Sequence, residues 1–116
     1  MVPGKFNMVC PQGSSFNQEL VYSIDDVPVD VTGYYAAMMV REKYTSKTPV
    51  VSIDSVLGGI DLGTSDGVIS INIDHAITET LHSKEYVYDL EVTDPYGKKT
   101  RLIEGKFIVT PEVTRG

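Results

Sequence analysis

The sequence predicts an all-β protein, an antiparallel β-sandwich of six to seven strands with one short helix near 75–82. Three observations carry this. Apolar and polar residues alternate with a period of two in segment after segment, the mark of strands with one face buried. Turn-forming residues separate those segments at short intervals. Only one stretch, following Asp74, shows helical spacing. At 116 residues the chain reads as one domain, 1–116, long enough to bury a core without metal or disulfide staples.

The clearest alternation runs from Tyr86 to Thr93. Tyr86, Tyr88, Leu90 and Val92 share one parity, and Val87, Asp89, Glu91 and Thr93 the other. Asp94-Pro95-Tyr96-Gly97 then supplies a tight turn, with proline preset for its second position and glycine free to close it at positive φ. The return strand, Thr100–Thr110, places Ile103, Phe107 and Val109 on one face around Gly105, and a glycine inside a strand signals a bulge or a close backbone approach.

The earlier elements follow in order. Residues 5–10 form a first strand, with Phe6 and Met8 on one side. Phe16–Ile24 alternates, with Phe16, Leu20, Tyr22 and Ile24 inward, and Asp25-Asp26-Val27-Pro28 ends it as a turn. Residues 34–43 contain good helix formers, but Gly33, the paired tyrosines and strand-like neighbours assign a strand. Val50–Val56 and Ile60–Leu62 are shorter strand segments, and Val68–Ile73 alternates cleanly. Asp74 caps a helix running to about Ser83, with Ile77 and Leu81 on one face. That helix crosses from one sheet to the other.

Composition narrows the function classes. A hydrophobic fraction of 41% and a charged fraction of 22% are ordinary for a globular chain. The formal net charge of −6 disfavours nucleic acid and anionic membrane surfaces as partners. No apolar run reaches the roughly 20 residues that span a bilayer. The opening residues, Met1-Val2-Pro3-Gly4-Lys5, lack the apolar core of a signal peptide. The lone Cys10 forms no intrachain disulfide and fits a reducing cytoplasm.

Reactive chemistry finds little support. His75 and His82 stand seven apart, whereas a zinc pair on a helix uses i,i+4 spacing; solvated or capping roles are expected. Asp61 and Asp66 do not reproduce the ligand spacing of a calcium loop, and turn aspartates commonly bond their own backbone. Gly58-Gly59 and Gly63 precede neither a helix nor a lysine, so they make no phosphate loop. Cys10 reads as an inert buried thiol. The expectation is a non-enzymatic protein with no cofactor and no metal.

Several segments, taken in order, resemble a family of small bacteriophage virion proteins. They are Gln12-Gly13-Ser14-Ser15-Phe16; Pro28-Val29-Asp30-Val31-Thr32-Gly33-Tyr34 leading into Ala37-Met38-Met39-Val40-Arg41; and Gly59-Ile60-Asp61-Leu62-Gly63 with Asp66-Gly67-Val68-Ile69. Val87-Tyr88-Asp89-Leu90-Glu91, Arg101-Leu102-Ile103-Glu104-Gly105-Lys106-Phe107 and Pro111-Glu112-Val113-Thr114-Arg115 complete the set. The chain is also similar to the N-terminal domain of phage baseplate upper proteins, an immunoglobulin-like sandwich. The resemblance implies a structural or adaptor subunit of a tailed-phage virion (tail, baseplate, neck or head decoration). Such a subunit is made in the host cytoplasm and docks on other virion proteins and on copies of itself. It supplies no catalytic residues. Tyr22 stands where the family often has tryptophan. The chain stops at Gly116 where the longer baseplate proteins continue into a stalk, which favours a self-standing decoration, neck or adaptor subunit.

A candidate interface follows from the strand at 34–40. With Tyr34, Ala36, Met38 and Val40 toward the core, Tyr35, Ala37 and Met39 form an apolar strip on the opposite face. Soluble monomers seldom leave such a strip bare. Either the helix covers it through Ile77 and Leu81, or a neighbouring subunit does. The alternative function is a carbohydrate-binding host-attachment module using exposed aromatics such as Tyr44 or Tyr96.

Overall fold

The computed structural model describes residues 3–113. The first two positions of the leader reading and Thr114-Arg115 of the last resembling segment lie outside these residues. Eight strands of three residues or more form the fold: β2 (Met8–Pro11), β3 (Phe16–Val21), β6 (Tyr35–Arg41), β7 (Val51–Asp54), β8 (Ile60–Leu62), β9 (Val68–Ile73), β10 (Glu85–Thr93) and β11 (Lys99–Thr110). Three two-residue strands, β1 (Gly4–Lys5), β4 (Ser23–Ile24) and β5 (Val27–Pro28), complete the set with one helical turn, α1 (His75–Thr78). Strands of two to four residues carry too little alternation to stand out, so the sequence-based count of six to seven is low.

One sheet has the order β2-β11-β10-β6-β7, with β1 also on β11, and the other has the order β3-β9-β8. They enclose one core, to which Met38, Leu90 and Phe107 contribute from the first sheet and Ile69 and Ile71 from the second. Phe16 and Phe107 meet across it edge-to-face, centroids 5.4 Å apart. This is an all-β sandwich, and its strand order is that of an immunoglobulin-like domain. It is not wholly antiparallel, because β1 and β2 both run parallel to β11.

A second immunoglobulin-like feature sits at the start of β10. The buried Tyr86 hydroxyl donates to the His82 carbonyl at 3.1 Å, pinning the chain where it enters the strand. Tyr86→Phe should therefore cost about 1 kcal/mol, read as a lower urea midpoint at unchanged slope. No change in midpoint would show that the bond adds nothing.

The strand at 34–43 is confirmed as β6, between β10 and β7. Three expectations are corrected. Phe6 lies in the link between β1 and β2 and is exposed, while Met8 is buried. Ile24 is exposed because the chain leaves β3 at Val21 and turns back as the β4–β5 hairpin. Asp25 and Asp26 both have positive φ there (52° and 66°), which a two-residue hairpin turn needs and aspartate tolerates. The helix is one turn only: Asp74 caps it by accepting from the Ala76 N–H, but it ends at Thr78, well short of Ser83. Its buried residue is Thr78, whose hydroxyl donates to the Ser14 carbonyl at 2.8 Å. Leu81 reaches the core from the following turn, and Ile77 is 40% exposed.

At Gly105 the two expected alternatives, a bulge or a close backbone approach, resolve to the second. The irregularity in β11 falls at Leu102, where the register passes from Leu90↔Ile103 to Glu91↔Arg101. Gly105 itself permits a close approach. A Cβ there would collide with the Phe6 carbonyl oxygen and lie 3.0 Å from the Asn7 Oδ1. The same Phe6 carbonyl accepts the hydroxyl of Tyr88, the residue opposite Gly105.

Candidate functional site

The residues Tyr35, Ala37 and Met39 point away from the core on the outer face of the six-stranded sheet, as their parity requires. Tyr35 is 40% and Met39 36% exposed, with Ala37 half-buried between them. Nothing from α1 covers them, since that turn packs by Thr78 against Ser14. The strip is narrow. Its cross-strand neighbours are Thr93, Glu91 and Asp89 on β10 and Asp54 and Ser52 on β7. The Arg41 guanidinium lies 3.1 Å from the Met39 sulfur and donates to the carbonyls of Ser46 and Lys47 at 3.0 Å each. Partial burial, then the Asp54 carboxylate, raise the Tyr35 phenol above its ordinary range.

Farther across this face the charges are matched. Arg101 lies 3.4 Å from Asp89 and 3.6 Å from Glu104, and Lys106 lies 3.0 Å from Glu85. Exposed pairs of this kind add only about 0–1 kcal/mol each. The outer face is therefore a small apolar strip in a charged border, the layout of a docking patch with a polar rim.

The second candidate lies at one end of the sandwich and was not legible as a unit in the sequence. Residues 22–34, which pass from one sheet to the other, meet there the turns 63–67 and 94–98, and backbone bonds tie 22–34 to 63–67. The Tyr22 N–H donates to the Gly67 carbonyl at 2.8 Å, and the Val31 N–H to Thr64 at 3.0 Å. Gly67, at φ 69°, sits so close to the Tyr22 and Val29 carbonyls that no side chain fits. The Asp94 Oδ1 accepts the N–H groups of Tyr96 and Lys98 at 2.9 Å each. The turn 94–97 is thus built as its residues predict. Beside this end, residues 55–57 join through Ser55, which bonds the Ala36 backbone in both directions. Leu57 is 90% and Tyr96 96% exposed.

Between the segment 22–34 and the 92–101 hairpin lies a cavity of about 430 Å³. Tyr22 and Tyr34 line it with Ile24, Val92, Asp94, Lys98, Lys99, Thr100 and Arg101. Burial chiefly, then the neighbouring Tyr22, Asp94 and Asp30, raise the Tyr34 phenol above its usual range, so it stays a donor. The available signal in the sequence was the adjacent pair Lys98-Lys99 beside the turn; nothing there linked it to two tyrosines more than sixty residues earlier.

The other candidates are dispersed. Tyr44 and Tyr96 are both exposed, but they follow the antiparallel strands β6 and β10 and so leave opposite ends of the sheet. His75 and His82 are exposed around α1. Asp66 accepts from the Thr64 and Val68 N–H groups, so this turn aspartate bonds its own backbone. Cys10 is buried, and burial pushes its thiol up. Among the described residues no three His, Cys, Asp or Glu side chains gather to hold a metal ion. No helix among the described residues is long and apolar enough to cross a membrane.

No protein-family model matches the chain, and no curated protein matches it.

Proposed function

We propose that this chain is a non-enzymatic structural or adaptor subunit of a tailed-phage virion, docking on other virion proteins and on copies of itself. The ordered sequence resemblance motivates this reading, and the uncovered strip of Tyr35, Ala37 and Met39 is the observation that carries it. Tyrosine and methionine are enriched at protein contacts, and a subunit repeated around a particle axis uses one patch many times. No nucleic acid and no membrane enter this role, and the protein resides in the virion after synthesis in the host cytoplasm.

Met39→Asp tests it. In the free subunit the new carboxylate lies in solvent near Arg41, so the melting temperature should stay within about 2 °C of wild type. In a docked patch it is desolvated, and incorporation into particles should weaken by about 2 kcal/mol or more, roughly thirtyfold. Normal incorporation would clear this face of any role in assembly.

A second reading, a carbohydrate-binding module for host attachment, is favoured by one observation. The cavity beside Tyr22 and Tyr34 combines phenol faces, a carboxylate and hydroxyls. Glycan-array binding by the purified chain, set against pelleting with particles, separates the two readings.

A further inference from the structure

We propose that the cavity between Tyr22, Tyr34 and the 92–101 hairpin binds an acidic saccharide, a polyol ring bearing a carboxylate. The inference rests on the second reading and names its ligand class.

Size and frame come first. At about 430 Å³ the cavity falls in the range of small-molecule sites, about 300–1,000 Å³. One wall, 22–34, is bonded to the neighbouring 63–67 turn through Tyr22 and Val31, and the other is the paired β10–β11 hairpin with its Asp94 turn, so little ordering within each wall accompanies occupation. The buried Val92 and the side chain of Ile24 supply apolar surface, and the two phenols combine flat faces with polar tips. That mixture suits a ring with an apolar face and a polar edge.

Charge gives the class. Three of the ten Lys and Arg residues line this one cavity in a chain of net charge −6. Arg101 is already engaged by Asp89 and Glu104 on the outer face. Lys98 and Lys99 make no ion pair among the described residues and remain to receive an anion. Asp94 separates the acidic sugar from a bare anion. Its carboxylate is fixed by the turn through Oδ1; it repels a compact anion placed centrally but accepts hydroxyl donors from a polyol. A neutral sugar would leave both lysines unused.

The test titrates the full chain with oligogalacturonate, with a neutral galacto-oligosaccharide of equal length and with inorganic phosphate, followed by calorimetry and amide chemical shifts. Oligogalacturonate should bind and shift the amides of Tyr22, Tyr34, Lys98 and Lys99. Its affinity should fall severalfold between low and physiological salt. The double variant Lys98→Glu, Lys99→Glu changes two exposed side chains. It should keep the wild-type melting temperature and lose at least tenfold in affinity. Tyr96→Ala, at the turn tip outside the cavity lining, should bind as wild type. Equal binding of the neutral oligosaccharide at this cavity would overturn the acidic class while leaving the saccharide reading standing. Phosphate binding as tightly as the oligomer would reduce the site to a simple anion site and overturn the proposal. Failure of every saccharide, or shifts confined to another face, would overturn both the class and the attachment reading.

Discussion

Phe107→Ala should lower stability by roughly 3–5 kcal/mol. Phe107 is fully buried on β11 and meets the Phe16 ring edge-to-face across the two sheets. Its removal loses apolar burial, the aromatic contact of about 0.5–1.5 kcal/mol, and the filling between sheets that have no covalent route to close the gap. A domain of this size has about 5–15 kcal/mol in all, so the variant should melt more than about 10 °C lower and accumulate poorly. Equilibrium urea unfolding is the measurement. A soluble variant melting within a degree or two of wild type would place Phe107 outside the core and undo the sandwich described above.

Gly105→Ala should cost roughly 2–6 kcal/mol, although it adds a single methyl group. The backbone at Gly105 is ordinary extended chain, so the substitution is not strained in φ. The cost comes from space. The new Cβ meets the Phe6 carbonyl, which belongs to backbone held by the Phe6 N–H to Glu104 bond at 3.1 Å and by Asn7 Oδ1, which accepts from the Lys106 N–H at 2.9 Å. Relief requires the β1–β2 link to lift off β11, an overpacking cost of about 1–3 kcal/mol. It also removes the acceptor of the Tyr88 hydroxyl, a further ~1–3 kcal/mol for a buried donor left unpaired. Burial holds that phenol far above its ordinary range, so the neutral hydroxyl must find a partner. Loss of protection at the Phe6 and Lys106 amides in hydrogen exchange, alongside the lower urea midpoint, would identify this mechanism. An alanine variant as stable as wild type would show that the link yields freely.

How far the fold was legible differs from element to element. β10 and β9 follow from alternation alone, because six or more residues of period two commit every side chain to a face. The turn at Asp94–Gly97 follows from local chemistry, since proline, aspartate and glycine each act within four residues. β6 was recoverable despite its helix-forming residues, because burial on one face outweighs a propensity difference of a few tenths of a kcal/mol per residue. Local pattern failed where contact with distant chain decides. Propensity and capping allowed α1 to run to Ser83, but the chain turns at Glu79 so that Leu81 enters the core and His82 can receive Tyr86. Residues 5–10 read as one strand, yet they split around Gly105, a residue about a hundred positions away.

The candidate sites divide along the same line. The sequence by itself determined the outward strip of Tyr35, Ala37 and Met39, because the parity of one strand sets it. Whether α1 covered that strip was a tertiary matter, settled by where Thr78 and Leu81 pack. The cavity was wholly tertiary. Tyr22, Tyr34 and the Lys98–Arg101 run belong to segments brought together only when the sheets stack. Periodicity records which way a side chain points from its own strand; it holds no record of which distant strand faces it.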